Sequence, residues 1–432
     1  MTTTRTPTTR RTATSGSAGD VAVNQRRFGV WLGEHYVGSL NQRGDYTWFA
    51  PDPRYLAEPH RPVLGLVFEE RPGARHSSSL RLPPWFSNLL PEGTMREWIA
   101  EQRHVSADRE MELLAEVGHD LPGAVQILPE DKAPEPPDPA AEDSDPYRAH
   151  RVSDDPGKLG FSLAGVALKF SMLRDGDRLT LPAHGMGGDW IVKLPDPRHP
   201  DVPRNEHSMM RLAAAVGIDV PEVMLVPRAK LDALPAHAWT SPEDHAYAVR
   251  RFDRDDQRRP IHIEDFAQVR NVFPNQKYEG NFETVASLAH RRRDVGALQE
   301  FARRMTFNIL ISNGDAHLKN WSLIYRDSRI PALAPAYDLV STAHYTSYHG
   351  DGEDMGLKFG KTRNFERVTL AAFDRLQRKL GEPDAGLPEI AEETVGRVRA
   401  EWPAVREDLE DCPDLRESID DSITRHSTTL LK

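Results

Sequence analysis

Ten residues, Ile311-Ser-Asn-Gly-Asp-Ala-His-Leu-Lys-Asn320, constrain this chain more than any others. Asp315, His317, Lys319 and Asn320 crowd into a segment too short to be anything but a loop. Leu298, Phe301, Met305 and Ile309 recur just upstream at helical spacing, so an amphipathic helix is expected to deliver that loop. Downstream, Trp321–Tyr325 and Ala332–Pro335 read as a short hairpin. The hairpin leads to a second isolated acid, Asp338. An Asn-Gly-Asp turn alone is an ordinary way to end a helix. The second carboxylate, arriving after a hairpin, gives the turn further meaning.

The 432 residues allow two to three domains at roughly 150 residues each. The net charge of −11 argues against a broad, autonomous grip on nucleic acid. Cys412 is the only cysteine, which excludes an intramolecular disulfide framework and a cysteine-rich zinc site and suits a reducing cytoplasm. The longest apolar run, Val63 to Phe68, is far below the roughly 20 residues a spanning helix needs, so no membrane association is expected.

Residues 1–26, rich in Thr and Arg, are expected to form a disordered tail. Residues 27–130 read as a small α+β module. Its strands are expected near Phe28, from Tyr36 to Leu40, and from Val63 to Phe68; its helices run from Thr94 onward and from Ala107 to Val117. Residues 131–150 read as an exposed connector, since Asp131 to Tyr147 alone holds six acids and five prolines. Residues 151–255 read as a β-rich lobe with one helix. Asn205 is expected to cap that helix, and Met209, Leu212, Ala213 and Val216 form its apolar face. Residues 256–432 read as mostly helical. The fold class expected is therefore α+β: a two-lobed, protein-kinase-like fold with an added N-terminal α+β module and a helical C-terminal lobe.

Phosphoryl transfer needs positioned phosphates, magnesium and a group that orients or deprotonates the acceptor hydroxyl. Asp315 and Asn320 have the D-x-x-x-x-N spacing of a kinase catalytic loop, with Asp315 as proton acceptor and Asn320 as a magnesium ligand. Asp338 suits a second magnesium ligand, because Mg²⁺ favours one or two carboxylates plus phosphate oxygens. Lys193 lies on an apolar strand, Ile191 to Leu194, and needs an anionic partner. A nucleotide phosphate or Glu206 on the next helix can serve. The turn from Ser162 to Lys169 can lay backbone amides against phosphates.

Several motifs together resemble the HipA family of serine/threonine kinase toxins of type II toxin–antitoxin systems. They are Ser162-x-x-Gly165-x-x-x-Lys169, Ile-Val-Lys193-Leu-Pro, Asn205-Glu206, Arg251-Phe252-Asp253-Arg254, Asn313-x-Asp315-x-His317-x-Lys319-Asn320 and Pro335-Ala-Tyr-Asp338-Leu. Phe86-Ser-Asn-Leu-Leu-Pro-Glu-Gly93 resembles the signature of that family's N-terminal module. The resemblance implies ATP and Mg²⁺ as cofactors. It implies Asp315 as catalytic base, with His317 and Lys319 shaping the loop and contacting phosphates, and Asn320 and Asp338 as metal ligands. Ser162, Ala164, Gly165, Val166, Lys169 and Lys193 would bind the nucleotide, with Arg250, Arg251 and Phe252 near the adenine hinge. Ser162 would also be the residue whose autophosphorylation switches the enzyme off. The implied partners are a small helix-turn-helix (HipB-like) antitoxin, which supplies the DNA contact, and a protein target, the family's known targets being aminoacyl-tRNA synthetases. One position departs: Ala167 stands where the family usually has Gln. That departure motivates the alternative of a catalytically weak nucleotide-binding protein acting through an antitoxin–DNA complex.

Overall fold

A computed structural model describes residues 25–102, 104–130, 168–182, 187–291, 294–346 and 354–432. The N-terminal module opens with three strands, β1 (Gln25–Leu32), β2 (His35–Arg43) and β3 (Tyr46–Pro51). Helices α1 (Pro53–Ala57) and α2 (Leu66–Glu70), strand β4 (Ser77–Ser79), helices α3 (Pro84–Ser87), α4 (Gly93–Gln102) and α5 (Glu110–Val117), and strand β5 (Val125–Pro129) follow. The strands form one antiparallel sheet in the order β4-β3-β2-β1-β5.

The middle lobe holds β6 (Lys169–Asp175), β7 (Arg178–Thr180), β8 (Trp190–Lys193), helix α6 (Val202–Ala215), β9 (Val223–Pro227), β10 (Leu231–Asp232) and β11 (His245–Arg250). Its sheet runs β10-β7-β6-β8-β11-β9. The C-terminal lobe begins with β12 (His262–Asp265) and α7 (Phe266–Val269), then α8 (Phe282–Ala289) and α9 (Val295–Leu310). Strand β13 (Ser322–Tyr325) pairs with β12 on one side and with β14 (Ala332–Leu333) on the other; α10 (Ala343–Thr346), the hairpin β15 (Asp354–Phe359) and β16 (Thr362–Asn364), and helices α11 (Leu370–Lys379), α12 (Leu387–Val405) and α13 (Pro413–Leu430) complete it. This is a mixed α+β, two-lobed kinase-like fold with an extra N-terminal module.

The middle sheet is buried on both faces, and strand alternation sorts its side chains. Phe170, Met172, Val192, Ala246 and Ala248 join the core of the N-terminal module. Tyr247 and Val249 face the other way, into the core that α6 shares with the C-terminal lobe. Lys193 follows Val192, so alternation turns it toward α6 and the C-terminal lobe, and Lys169 is its partner across β6 and β8. On α9, Leu298, Phe301, Met305 and Ile309 are all buried, which anchors the loop after the helix.

Two expectations about elements are corrected. Val63 to Phe68 does not form a strand; Leu66–Glu70 is helix α2. The run is buried almost throughout, which leaves no period to separate strand from helix. Residues Tyr46–Pro51 supply the third strand instead. Asn205 does not cap α6, which starts three residues earlier behind Asp201. Asn205 is wholly buried, donating to the Ser341 carbonyl at 2.8 Å and accepting from the Ser341 amide at 3.0 Å.

The module docks on the C-terminal lobe through buried polar groups. Glu264 accepts hydrogen bonds from the Leu66 amide (3.1 Å), the Trp85 indole (3.2 Å) and the Tyr325 hydroxyl. Burial pushes its carboxyl up to about 7. His262 Nε2 contacts the Leu64 carbonyl at 2.8 Å, and burial holds its imidazole down at about 4. An unfolded histidine takes its proton near 6.5. The folded state therefore binds less proton than the unfolded one between 6.5 and 4. The stability contributed by neutral His262 is complete above about 6.5 and is lost as pH falls toward 4, by up to about 1.4 kcal/mol per pH unit. His262→Gln, which keeps a donor for Leu64, should give a shallower loss of urea midpoint between pH 6.5 and 4 than the wild-type chain; identical slopes would refute this account.

Candidate active site

Lys193 is the centre of the site. Its Nζ donates to Glu206 Oε1 at 2.6 Å and to Oδ1 of Asp338. Three elements thus meet on one ammonium: β8, α6 and the segment after β14. Burial would strip the proton from Lys193, but Asp338 and Glu206 more than offset this and hold it charged. Burial would likewise raise Asp338, yet Lys193 and Lys169 keep its carboxyl well below the usual range. Glu206 is the more buried of the two acids, and burial pushes it up to about 7 despite Lys193. Lys169 is buried beside this group, and burial, aided by Lys193, brings it down to about 8.

The Asp338 segment is held tightly. Asp338 sits in left-handed backbone (φ 56°), which aspartate tolerates better than most residues. Asn205 clasps Ser341 three residues on. Thr342 Oγ1 accepts from the Gly314 amide at 2.8 Å and donates to the Ser312 carbonyl at 2.9 Å. A side chain at Gly314 would come within 2.8 Å of the Asp354 carbonyl and 2.9 Å of Thr342, so only glycine fits this close approach. Ser312, itself left-handed (φ 54°), contacts His426 of α13 at 2.8 Å.

Within the loop, Asn313 accepts from the Asp315 amide at 3.1 Å and donates to the Asp338 carbonyl at 3.5 Å, joining the two acids' backbones. The Asp315 side chain is exposed and accepts from the Tyr278 hydroxyl. Asn320 donates to the Asp315 carbonyl at 3.2 Å through its amide nitrogen, so its amide oxygen could serve a cation. Asn320 and Asp338 line the same pocket, with Asn313 and Asn308. The Phe252 ring rests 5.5 Å from Tyr337, next to Asp338. His317 is buried, packs against Tyr278 at 5.0 Å, and is held neutral by burial, its pKa about 4.

These residues suit magnesium. Lys193 engages only Oδ1 of Asp338, and Asn320 adds a neutral oxygen. Among the described residues no group of three or more His, Cys, Asp or Glu could hold a metal. A hard cation here would complete its oxygen shell with phosphates, as Mg²⁺ in nucleotide sites does.

The side chains of other expected site residues are engaged with protein groups. Arg251 is not positioned to contact nucleotide with its side chain. It is fully buried and forms ion pairs with Asp120 of the N-terminal module (2.8 Å) and with Asp253 (2.9 Å), and it donates to Ser171 at 3.0 Å. Arg254 completes the group on Asp120 at 2.9 Å. Arg250 pairs with Asp256 at 2.7 Å on a more exposed edge. Lys319 is not available to phosphates: its ammonium is buried against Asn88 O (2.8 Å), Asn88 Oδ1 (3.1 Å), Asp265 (3.3 Å) and Glu92 (3.4 Å). Ser162, Ala164, Gly165, Val166 and Ala167 fall outside the described residues. Tyr278 and Asn313 gained no role from the sequence, and Asn205 only that of a helix cap, because their partners are distant in the chain or are backbone atoms.

The fold and this arrangement define a kinase-like protein. Comparison with known proteins gives the family. The HipA N-terminal domain model matches residues 28–128 and the HipA-like C-terminal domain model residues 161–402. The "Putative kinase Y4dM" of Sinorhizobium fredii is 40% identical over 92% of this chain and 95% of its own. The "Serine/threonine-protein kinase toxin HipA" of Shewanella oneidensis is 29% identical over 63% of this chain and 65% of its own. HipA in the solved Shewanella oneidensis MR-1 complex of HipA, HipB and operator DNA superposes with a TM-score of 0.71 at 22% identity, covering 93% of this chain and 97% of that one. The chain belongs to the HipA family.

Lys193→Met should leave Glu206 and Asp338 facing each other with only Lys169 as a nearby counter-charge. A loss of about 3 kcal/mol in urea unfolding is expected, on the scale of breaking a buried pair, while Arg250→Ala should stay within about 0.5 kcal/mol of wild type.

Proposed function

We propose that this chain is an ATP- and Mg²⁺-dependent kinase that transfers the γ-phosphate to a serine or threonine of a protein target, as the toxin of a toxin–antitoxin pair. The observation that carries the reading is the junction of Lys193, Glu206 and Asp338 beside a loop bearing Asp315 and Asn320. Lys193 and Lys169 share one sheet face and would bind phosphates. Asn320 and Asp338 would hold magnesium, which when bound neutralises charge on the transferring group. Asp315, exposed at the mouth of the site, would accept the proton of the acceptor hydroxyl. Neutral His317 supports the loop by packing and carries no charge to the phosphates. Phe252 would lie at the adenine end.

The family relationship supports three finer points. A small helix-turn-helix antitoxin would be the partner and would supply the DNA contact, as HipB accompanies the Shewanella oneidensis relative. The protein target would be one whose inactivation slows translation, such as an aminoacyl-tRNA synthetase. Ser162 would be the autophosphorylated residue.

Asp315→Asn should lower phosphotransfer from γ-labelled ATP by about 10²–10⁴, the scale of losing a general base. Labelling at the wild-type rate in that variant would sink the assignment. Incubation with Mg·ATP should add one phosphate to the peptide holding Ser162, read by mass spectrometry. Tight nucleotide binding with no phosphoprotein product would favour the alternative that Ala167 motivates, a nucleotide-binding protein with weak catalysis.

A further inference from the structure

We propose that Glu92, in the N-terminal module, is a positioning residue for the phosphoryl-transfer loop, so that the module forms part of the catalytic apparatus as well as a docked neighbour. The proposal rests on the kinase reading above. Glu92 lies at the start of α4, far in sequence from the loop, and is largely buried. Its carboxylate meets two lysines of the C-terminal lobe, Lys277 at 2.9 Å and Lys319 at 3.4 Å. Those lysines flank Asp315 from two sides. Lys277 precedes Tyr278, whose hydroxyl donates to the Asp315 carboxylate and whose ring packs on His317. The Lys277 carbonyl accepts from the Leu318 amide at 3.1 Å, tying the two segments together. Lys319 lies four residues after Asp315, and its carbonyl accepts from the Tyr337 hydroxyl at 2.8 Å, one residue before Asp338.

One carboxylate of the module therefore holds both the segment that contacts the base and the segment that carries Asn320. Asn88 adds a second grip, accepting from Lys319 and donating to the Val272 carbonyl at 2.7 Å. Burial works against ionised Glu92, yet Lys319 and Lys277 keep its carboxyl below the ordinary range. Docking alone does not require this arrangement, because Glu264, His262 and the Arg251–Asp120 pair already bind the module at sites away from the loop. Near-attack geometry is sensitive to displacements of about 1 Å, so a loop braced on both sides is where a remote carboxylate can act.

Glu92→Gln keeps the size and removes the charge. In the full-length chain it should lower kcat about tenfold or more, while the Kd for Mg·ATP stays within about twofold. Amide hydrogen exchange over residues 313–320 should quicken by about fivefold or more, with exchange in β1–β5 unchanged. Glu92→Asp should recover part of kcat. The double variant Glu92→Gln/Lys277→Gln should lose no more than the worse single variant, since both remove one interaction. Wild-type kcat and wild-type loop exchange in Glu92→Gln would overturn the proposal. So would quickened exchange across the whole module, which would make Glu92 a docking contact only. If the wild-type chain transfers no phosphate, the kinase reading falls and this proposal falls with it. Phosphotransfer by the wild-type chain together with unchanged kcat and unchanged loop exchange in Glu92→Gln overturns this proposal alone.

Discussion

One largely buried ammonium, that of Lys193, organises the molecule. Lys193 cannot lie under an apolar sheet without anions, since an unpaired buried charge costs several kcal/mol. Its two partners come from different places, Glu206 from the helix after its own strand and Asp338 from beyond the hairpin of the other lobe. Satisfying one cation therefore sets the middle sheet, α6 and the C-terminal loop in a common frame. Asn205 repeats the link one residue earlier on α6 by pairing with both backbone groups of Ser341. Phosphate binding would draw on the same charge, so the group that holds the lobes together is also the group that would meet the nucleotide.

The N-terminal module is continuous with this frame. Its core runs into one face of the middle sheet, while α6 and the C-terminal lobe pack on the other. The polar contacts at its edges are buried and well paired: Glu264 with three donors, and Arg251 and Arg254 with Asp120 and Asp253. Arg251 holds Asp253 far below the usual carboxylate range against the opposing pull of burial. Such networks stabilise little relative to a hydrophobic replacement, but losing one partner strands the others. Their geometric precision suits a domain whose loop at Asn88 and Glu92 reaches Lys319 in the Asp315 loop.

Residues that short spacing brings together were readable from the chain. Asp315 and Asn320 are separated by one loop, Asp338 follows one hairpin, and the apolar stripe of α9 announces where that loop begins. Lys193 stood out because a cation among Ile191, Val192 and Leu194 demands an explanation, and Glu206 was a reachable answer. The chain did not show what a side chain touches where the partner was remote. Arg251 sits next to Phe252 in the chain, but Asp120, 131 residues away, claims its guanidinium. Lys319 sits four residues after Asp315, but Asn88, 231 residues away, claims its ammonium. The strand expected at Val63–Phe68 failed for a related reason: burial on all sides erased the pattern that tells helix from strand.

By itself the sequence determined the fold class, the order of the lobes and the identity of the acids and lysine at the centre. Alternation, helical periodicity and loop spacing are local properties and survive without coordinates. Only the tertiary structure decided which charges face solvent, which are spent on one another, and that the N-terminal module grips the loop bearing Asp315. Ion pairs and buried hydrogen bonds are satisfied by proximity in space, and a chain that folds back over hundreds of residues does not record that proximity in its spacing.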